Sequence, residues 1–373
     1  MRIATLQFAP QLGDVEQNIR RADRLLKLEA GNQDASEELG IDELRPDILV
    51  LPEMAFSGYN FASLQAIRPY LEVQGQGPSS QWARRTAQRL KCKVCVGYPE
   101  VQHVGPSTTS DGDSAASSVK LYNSMLVVDE AGQIVHNYRK RFLYYTDESW
   151  ASEGEAEWSF KSLEFHAASG PASEKTVHIP TTFGICMDIN PYKFEAPFTA
   201  WEFANRVLDS QSHLVIVSAA WLVTDPTTIM ATHERLPDMD TFNYWLKRFW
   251  PLLEKRIDYG NRQLDGFCTP TETKVVLVFA NRTGVEDGGA GSIIPTATYA
   301  GTSTIVAITQ THKGHSEAKE TSGDSTTSSS SLDIKIHCWG IKGAREEGIC
   351  FADTASEPEM TFVTKKTDED ESD

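Results

Sequence analysis

Three side chains with complementary chemistry occur in separate stretches of the chain: the thiol of Cys186, the carboxyl group of Glu53 and the ammonium group of Lys140. A thiolate attacks carbonyl carbons, and a carboxylate can take the thiol proton if burial raises its pKa. A nearby ammonium group would stabilise both the thiolate and a developing oxyanion. Together the three groups would form an acyl-transfer site that needs no histidine.

Each of these residues also has a plain structural explanation when it is taken singly. Cysteine is often a small buried hydrophobic residue, and a glutamate can cap a helix or form a surface ion pair. Lys140 lies between Arg139 and Arg141, where a basic surface patch is the default. The histidines that could pair with the cysteine lie in stretches without other reactive groups: His136, His178 and His213. Only the three residues in combination predict a catalytic site.

Each reactive group follows a predicted strand. The glutamate follows the apolar run Pro46–Pro52, which is typical of a buried parallel strand. The lysine follows the second strand of a predicted hairpin, Gln133–Tyr138, and the cysteine follows the apolar segment Phe183–Ile185. A turn and a helix-compatible segment come after the cysteine. Because α/β proteins gather catalytic side chains at strand ends, this placement favours a shared site.

Strands alternate with helices along the chain, which predicts an α/β fold. We expect one domain over residues 1–352, with surface insertions near residues 104–118 and 313–331, where Ser, Thr, Gly and Asp dominate. The acidic end of the chain, residues 353–373, is expected to be a disordered tail.

Composition narrows the possible partners and surroundings. The net charge of −17 argues against a nucleic-acid partner, because no basic surface is available to neutralise phosphates. No apolar run approaches the length of a membrane span, and because the first predicted strand begins at residue 2, we expect no cleaved presequence. Six scattered cysteines favour a reducing compartment, hence the cytoplasm. The C-x-x-C pair Cys92 and Cys95 lies in an alternating strand and has no second pair, so zinc is not expected.

The sequence resembles the nitrilase, or carbon–nitrogen hydrolase, superfamily from residue 1 to about residue 308. The resemblance is carried by Leu51-Pro-Glu-Met-Ala-Phe-Ser-Gly-Tyr59, Tyr122-Asn-Ser, Tyr138-Arg-Lys, Gly184-Ile-Cys-Met-Asp188 and Asn281-Arg-Thr-Gly. It implies an αββα sandwich and a triad with Glu53 as general base, Lys140 as oxyanion stabiliser and Cys186 as nucleophile. It implies no cofactor or metal. A second family acid falls at Glu148 or Asp147, and the sequence leaves the choice open.

Within the superfamily the chain looks most like fungal protein N-terminal amidases, through stretches such as Asn190-Pro-Tyr-Lys-Phe194 and Ala220-Trp-Leu222. This resemblance implies hydrolysis of the side-chain amide of N-terminal Asn or Gln through a thioester, feeding the arginine branch of the N-degron pathway. A small-molecule amidase or nitrilase and a non-catalytic scaffold are the alternatives. The sequence leaves open the preference for Asn or Gln and whether the protein is a monomer or a homodimer.

A pocket for N-terminal residues needs an acid that recognises the α-ammonium group, because desolvating an unmatched cation is costly. The resemblance offers as candidates for substrate binding Asp188, Asp238, Glu286 and Trp221. Two of these acids also have structural explanations: Asp188 as a cap of the helix predicted after Cys186, and Glu286 as a residue that orients the Asn281 loop.

Overall fold

The computed structural model of the chain describes residues 1–28, 39–104, 118–166, 176–259, 264, 267–269, 271–312 and 332–363. The strands in these ranges are β1 (Arg2–Gln7), β2 (Ile48–Val50), β3 (Glu72–Val73), β4 (Lys93–Val104), β5 (Ser118–Val128), β6 (Ile134–Arg139), β7 (Phe160–His166), β8 (Thr176–Ile185), β9 (Leu214–Ala219), β10 (Glu272–Asn281), β11 (Val285–Asp287), β12 (Thr296–Thr298), β13 (Thr304–His312), β14 (Leu332–Ile341), β15 (Gly348–Asp353) and β16 (Met360–Val363). The α-helices are α1 (Val15–Leu25), α2 (Ile41–Leu44), α3 (Leu64–Ile67), α4 (Pro78–Leu90), α5 (Tyr145–Glu148), α6 (Glu202–Asp209), α7 (Pro226–Ala231), α8 (Met239–Arg248) and α9 (Trp250–Glu254).

Most strands belong to two large mixed sheets. The first has the order β15-β1-β2-β4-β5-β6, with β3 paired to β4, and the second has the order β16-β14-β13-β10-β9-β8-β7. Strands β1, β2 and β4 are parallel in the first sheet, as are β8, β9 and β10 in the second. The residues after β2 and after β8 therefore leave their sheets at the carboxyl ends of parallel strands, where α/β folds place their sites.

Alternating side chains cover both faces of the first sheet. Ile48 and Val50 of β2 pack into the core between the two sheets. Leu49 and Leu51 point the other way, into a core shared with Trp82 of α4. Because consecutive strand residues face opposite sides, a continuous apolar run is what a strand buried on both faces requires.

The second sheet is covered in the same way. Leu214 and Ile216 of β9 face the core between the sheets, whereas Val215 faces a core that contains Phe203 of α6 and Trp245 of α8. Helices therefore lie outside both sheets, and the layer order is helix, sheet, sheet, helix. This arrangement confirms the predicted α/β class and the αββα sandwich.

The end of the described chain differs from the sequence expectation. Met360–Val363 form β16, which pairs antiparallel with β14, so the ordered chain continues well past residue 352. The backbone groups of this short strand form the ladder hydrogen bonds, although its side chains are exposed, and the acidic residues that follow obscure the strand in the sequence. The rest of the tail lies outside the described residues, as do most of the expected insertion near 104–118 and all of that at 313–331.

The C-x-x-C pair is split between two cores: Cys92 packs under the helices and Cys95 lies between the sheets. Alternation along β4 explains this separation. Within the described ranges no group of three or more His, Cys, Asp or Glu residues is placed to hold a metal ion. None of the helices described is both long and apolar enough to cross a membrane.

Candidate active site

Glu53 lies just after β2, and its side chain is fully buried. The backbone there is tightly packed: a Cβ atom on Gly97 of β4 would lie 2.7 Å from the Cα atom of Glu53 and 2.6 Å from the nitrogen of Met54. Met54 itself has a φ of 51°, in the left-handed region. Only glycine at position 97 lets β4 pass this close, so β4 fixes the position of the carboxyl group.

Lys140 follows β6 and lies between two buried carboxylates. Its Nζ atom is 2.7 Å from Oε1 of Glu53 and 2.6 Å from Oδ2 of Asp147, and all three side chains are fully buried. Asp147 belongs to the short helix α5, whose geometry turns the next residue, Glu148, to solvent. Of the two acids that the sequence leaves open, the structure thus brings Asp147 to Lys140.

Asn123 of β5 joins the same cluster, and the sequence analysis gives it no role. Its Nδ2 atom lies 2.7 Å from Oε1 of Glu53 and 3.0 Å from Oδ1 of Asp147. Its carbonyl oxygen accepts the Lys140 backbone N–H at 2.8 Å, which extends the pairing of β5 with β6 by one residue. The cluster thus contains two carboxylates, one ammonium group and one bridging amide.

Cys186 occupies the turn that follows β8. Its φ of 43° is in the left-handed region, which is strained for a residue with a side chain and is common at functional sites. The Asp188 carboxylate holds this turn by accepting the N–H of Ile185 at 2.7 Å. It also accepts the N–H of Phe142 at 2.8 Å and the hydroxyl of Tyr138 at 2.7 Å. Asp188 therefore ties the cysteine turn to the segment that carries the lysine.

Burial and charge set the protonation of the cluster. Burial raises the pKa of Glu53, and Asp147 adds to this effect, whereas Lys140 opposes it. Burial disfavours the Lys140 ammonium, but Asp147 and Glu53 outweigh that cost and the pKa of Lys140 is raised. Burial, followed by the charge of Glu53, raises the pKa of the Cys186 thiol well above its ordinary value, against the effect of Lys140. The resting site therefore holds a neutral thiol beside an unusually basic carboxylate.

A pocket of about 540 Å³ opens onto this turn. Its wall includes Cys186, Tyr59, Tyr144, Phe194, Trp221 and Tyr244. Tyr59 links the wall to the charged cluster, because its hydroxyl donates to Oδ2 of Asp147 at 3.2 Å and Lys140 Nζ lies 5.5 Å from its ring centre. A thiol in a largely apolar wall, next to a buried base and cation, suits attack on a small carbonyl group.

The structure places Trp221 in the pocket wall and the three candidate acids elsewhere. Asp188 lies under the cysteine turn, as described. Asp238 caps α8, where it accepts the hydroxyl of Thr241 at 2.8 Å. Glu286 is buried and accepts the N–H of Asn60 at 2.9 Å, so it anchors the loop after Glu53.

Asp240, in the first turn of α8, is the acid that the structure does bring to the pocket. Among the described residues that form the wall, it is the one acidic side chain. The sequence analysis missed it, although a signal is present: Asp238 is a good N-cap residue, and the cap predicts that the next turn is helical. Neighbouring residues of a helix point in different directions, so Asp240 can face the pocket while Asp238 accepts hydrogen bonds from the backbone N–H groups of the first turn.

Residues 2–188 match the carbon-nitrogen hydrolase family, and the chain belongs to that family. More particularly, it is 32% identical over 323 residues to the protein N-terminal amidase of Schizosaccharomyces pombe, covering 83% of this chain and 92% of that protein. It is 33% identical over 239 residues to the protein N-terminal amidase of Saccharomyces cerevisiae, covering 61% of this chain but 47% of the yeast protein.

Solved structures show the same fold. A crystal structure of an N-terminal amidase superposes with a TM-score of 0.65 at 23% identity, covering 98% of this chain and 99% of that one. A crystal structure of N-terminal amidase with an Asn-Glu-Ala peptide gives the same values. The chain is therefore an amidohydrolase of the carbon-nitrogen hydrolase family with the family's αββα fold.

Proposed function

We propose that this chain hydrolyses the side-chain amide of an N-terminal Asn or Gln of peptides and proteins to give Asp or Glu and ammonia. One observation carries the proposal: the Cys186 pocket adjoins the buried Glu53, Lys140 and Asp147 cluster. The similarity to two protein N-terminal amidases over much of the chain supports the choice of substrate.

In the first half of the proposed reaction, Glu53 takes the proton of the Cys186 thiol as the sulfur attacks the amide carbon. The amide oxygen becomes an oxyanion. Glu53 and Asp147 occupy two of the three N–H donors of Lys140, and among the described residues the third has no partner, so it is available to the oxyanion. Glu53 then gives its proton to the amide nitrogen, ammonia leaves and a thioester forms.

In the second half, a water molecule attacks the thioester carbon while Glu53 takes one of its protons. The bond to sulfur breaks, the proton passes to the Cys186 thiolate and the carboxylic acid product leaves. Lys140 stabilises the oxyanion in both halves, and Asp147 keeps the ammonium group in place.

Asp240 supplies the contact that distinguishes an N-terminal Asn or Gln from an internal one. The side-chain amides are identical, and the difference is a free α-ammonium group with an ordinary pKa of about 7.7–8.0. An acid on the wall of an otherwise largely apolar pocket can pair with that cation. In this proposal Asp240 takes the role for which the sequence offered Asp188, Asp238 and Glu286.

The proposed setting is the cytoplasm, where a new acidic N-terminus would feed the arginine branch of the N-degron pathway. All six cysteines are free thiols, which suits a reducing compartment.

Peptides that begin with Asn or Gln, offered with a free or an acetylated α-amine, test the function. We expect ammonia release and the matching mass change from the free peptides, strong suppression by acetylation, and no turnover by Cys186→Ala. Cys268→Ala, which removes another buried thiol, should retain activity. Equal rates on free and acetylated peptides would instead identify a general amidase.

A further inference from the structure

An exposed aromatic cluster lies at the mouth of the pocket. It consists of Tyr144, Tyr145 and Phe194, with ring centres 5.0 Å apart for the two tyrosines and 6.0 Å apart for Tyr145 and Phe194. Tyr145 and Phe194 are each 47% exposed, so their rings leave much apolar surface in water. Tyr144 and Phe194 also line the pocket, which makes the cluster continuous with the site of Cys186.

The backbone under this cluster is strained. Lys193 and Phe194 have φ values of 54° and 55°, both in the left-handed region, which disfavours residues with a Cβ atom. The turn is held from below: the Phe194 N–H donates to the carbonyl of Pro191 at 2.9 Å, and the ring of Tyr192 packs against Phe142 at 4.9 Å. The strained backbone at Lys193 and Phe194 therefore costs conformational free energy while it exposes the Phe194 side chain to solvent. Backbone strain of this kind occurs most often at binding and catalytic sites.

We propose that the aromatic cluster binds the side chain of the second substrate residue and favours large apolar or aromatic ones. This inference rests on the proposed function. An amide carbon at Cys186 and an α-ammonium group at Asp240 would fix the first residue inside the pocket. The rest of the peptide must then leave through the mouth, where the side chain of the second residue meets Tyr144, Tyr145 and Phe194.

The chemistry of the cluster sets the preference. Phe, Tyr and Leu side chains bury apolar area against the rings, and an aromatic side chain can also pack edge to face with them. A glycine at the second position has nothing to bury. Because this contact is the same in the ground state and the transition state, it should lower KM and leave kcat unchanged.

The test compares three peptides that differ only in their second residue: Asn-Phe, Asn-Leu and Asn-Gly, each with the same tail. For the unaltered chain we expect KM to be about threefold to tenfold lower with Phe or Leu than with Gly, the range that one aromatic contact supplies. Phe194→Ala should remove this difference by raising KM for the Phe and Leu peptides more than for the Gly peptide. Phe194→Trp, which keeps a ring, should retain the difference.

Trp250→Ala is the matched control, because Trp250 is an exposed aromatic residue of α9 that does not line the pocket. It should leave the KM order intact. Equal KM values for the three peptides, or an order that survives Phe194→Ala, would overturn the inference while turnover itself upholds the proposed function. Absence of turnover on every peptide would reject both. A dimer in light scattering that dissociates with Phe194→Ala would assign the cluster to self-association instead.

Discussion

The side-chain nitrogen of Asn123 lies 2.7 Å from Oε1 of Glu53. The same atom lies 3.0 Å from Oδ1 of Asp147, so one amide donates to both carboxylates that flank Lys140. Donated hydrogen bonds favour the ionised form of a carboxyl group, and the bond from Asn123 lowers the pKa of Glu53 against the larger effect of burial. In the proposed mechanism, Asn123 is thus a positioning residue that also favours the ionised form of the general base, Glu53.

Replacing Asn123 with the similarly sized Leu should move the acid limb of the kcat/KM pH profile to higher pH. In the proposed mechanism Glu53 acts as a carboxylate, and its raised pKa in the folded chain means that activity should fall at a higher pH than for an ordinary glutamate. Loss of the amide raises that pKa further, so protonation inactivates the base sooner as the pH falls. Initial rates from acid to neutral pH on an Asn-starting peptide measure the shift.

Ser124→Ala is the control for that substitution. Ser124 is the next residue of β5, and its hydroxyl donates to Glu100 rather than to the catalytic cluster. The acid limb of the kcat/KM pH profile of Ser124→Ala should match that of the unaltered chain. If Asn123→Leu lowers the rate equally at every pH, the amide has only a structural role.

Asp147→Asn and Glu148→Gln separate the two neighbouring acids. Asp147 is the ion-pair partner of the Lys140 ammonium group at 2.6 Å. Without its charge the ammonium group is held less firmly, and it should stabilise the oxyanion less well. We expect kcat to fall by about a hundredfold or more, as it does when an oxyanion donor is lost. Glu148 is exposed and should tolerate the change. Comparable losses in the two variants would contradict the assignment.

Asp240→Asn should weaken recognition of the free α-amine. Replacing a charge-assisted hydrogen bond with a neutral one should lower kcat/KM on Asn-starting peptides by about tenfold to a hundredfold. The slow residual rate on acetylated peptides should not change, because these carry no α-ammonium group. Glu254→Gln on α9 removes an exposed charge outside the pocket and serves as the control. A uniform loss on both peptide types would argue against the α-ammonium role.

Glu72 provides a test of stability away from the active site. It belongs to β3, and its buried carboxyl group accepts the hydroxyl of Ser79 in the first turn of α4 at 2.6 Å; burial raises its pKa from 4.5 to about 7. A raised pKa in the folded state means that the stabilisation is complete below pH 4.5 and is lost as the pH rises through about 7.

Glu72→Gln should remove this dependence. Between pH 4.5 and pH 8, the free energy of unfolding of the unaltered chain should fall by roughly 2–3 kcal/mol relative to the variant. Urea unfolding at both pH values gives the difference. Glu16→Gln, at an exposed site on α1, leaves Glu72 in place and should retain the pH dependence of the unaltered chain. Parallel pH dependences of the unaltered chain and Glu72→Gln would exclude Glu72 as the source.

Apolar runs and the alternation of strands with helices predicted the α/β class and the strand-end positions of Glu53, Lys140 and Cys186, because these patterns record which faces are buried. The αββα layers were implied by the resemblance to the nitrilase superfamily. The sequence left Asp147 and Glu148 unresolved, since adjacent residues differ only in the direction in which one turn of α5 points them. Asp240, the acid of the pocket wall, was missed for a related reason. Packing between distant segments decides which carboxylate accepts a hydrogen bond from a backbone N–H and which carboxylate faces a cavity.

Glu53 and Lys140 leave the first sheet, whereas Cys186 leaves the second. Each sheet alone thus carries only part of the proposed triad, and the proposed reaction requires the inner faces of the two sheets to pack together in register. Activity should therefore report on tertiary packing. We expect a compact intermediate that keeps its strands and helices, but in which the two sheets are not packed in register, to lose activity before it loses secondary structure. For the same reason we expect a newly synthesised chain to be inactive until its second half has folded against the first.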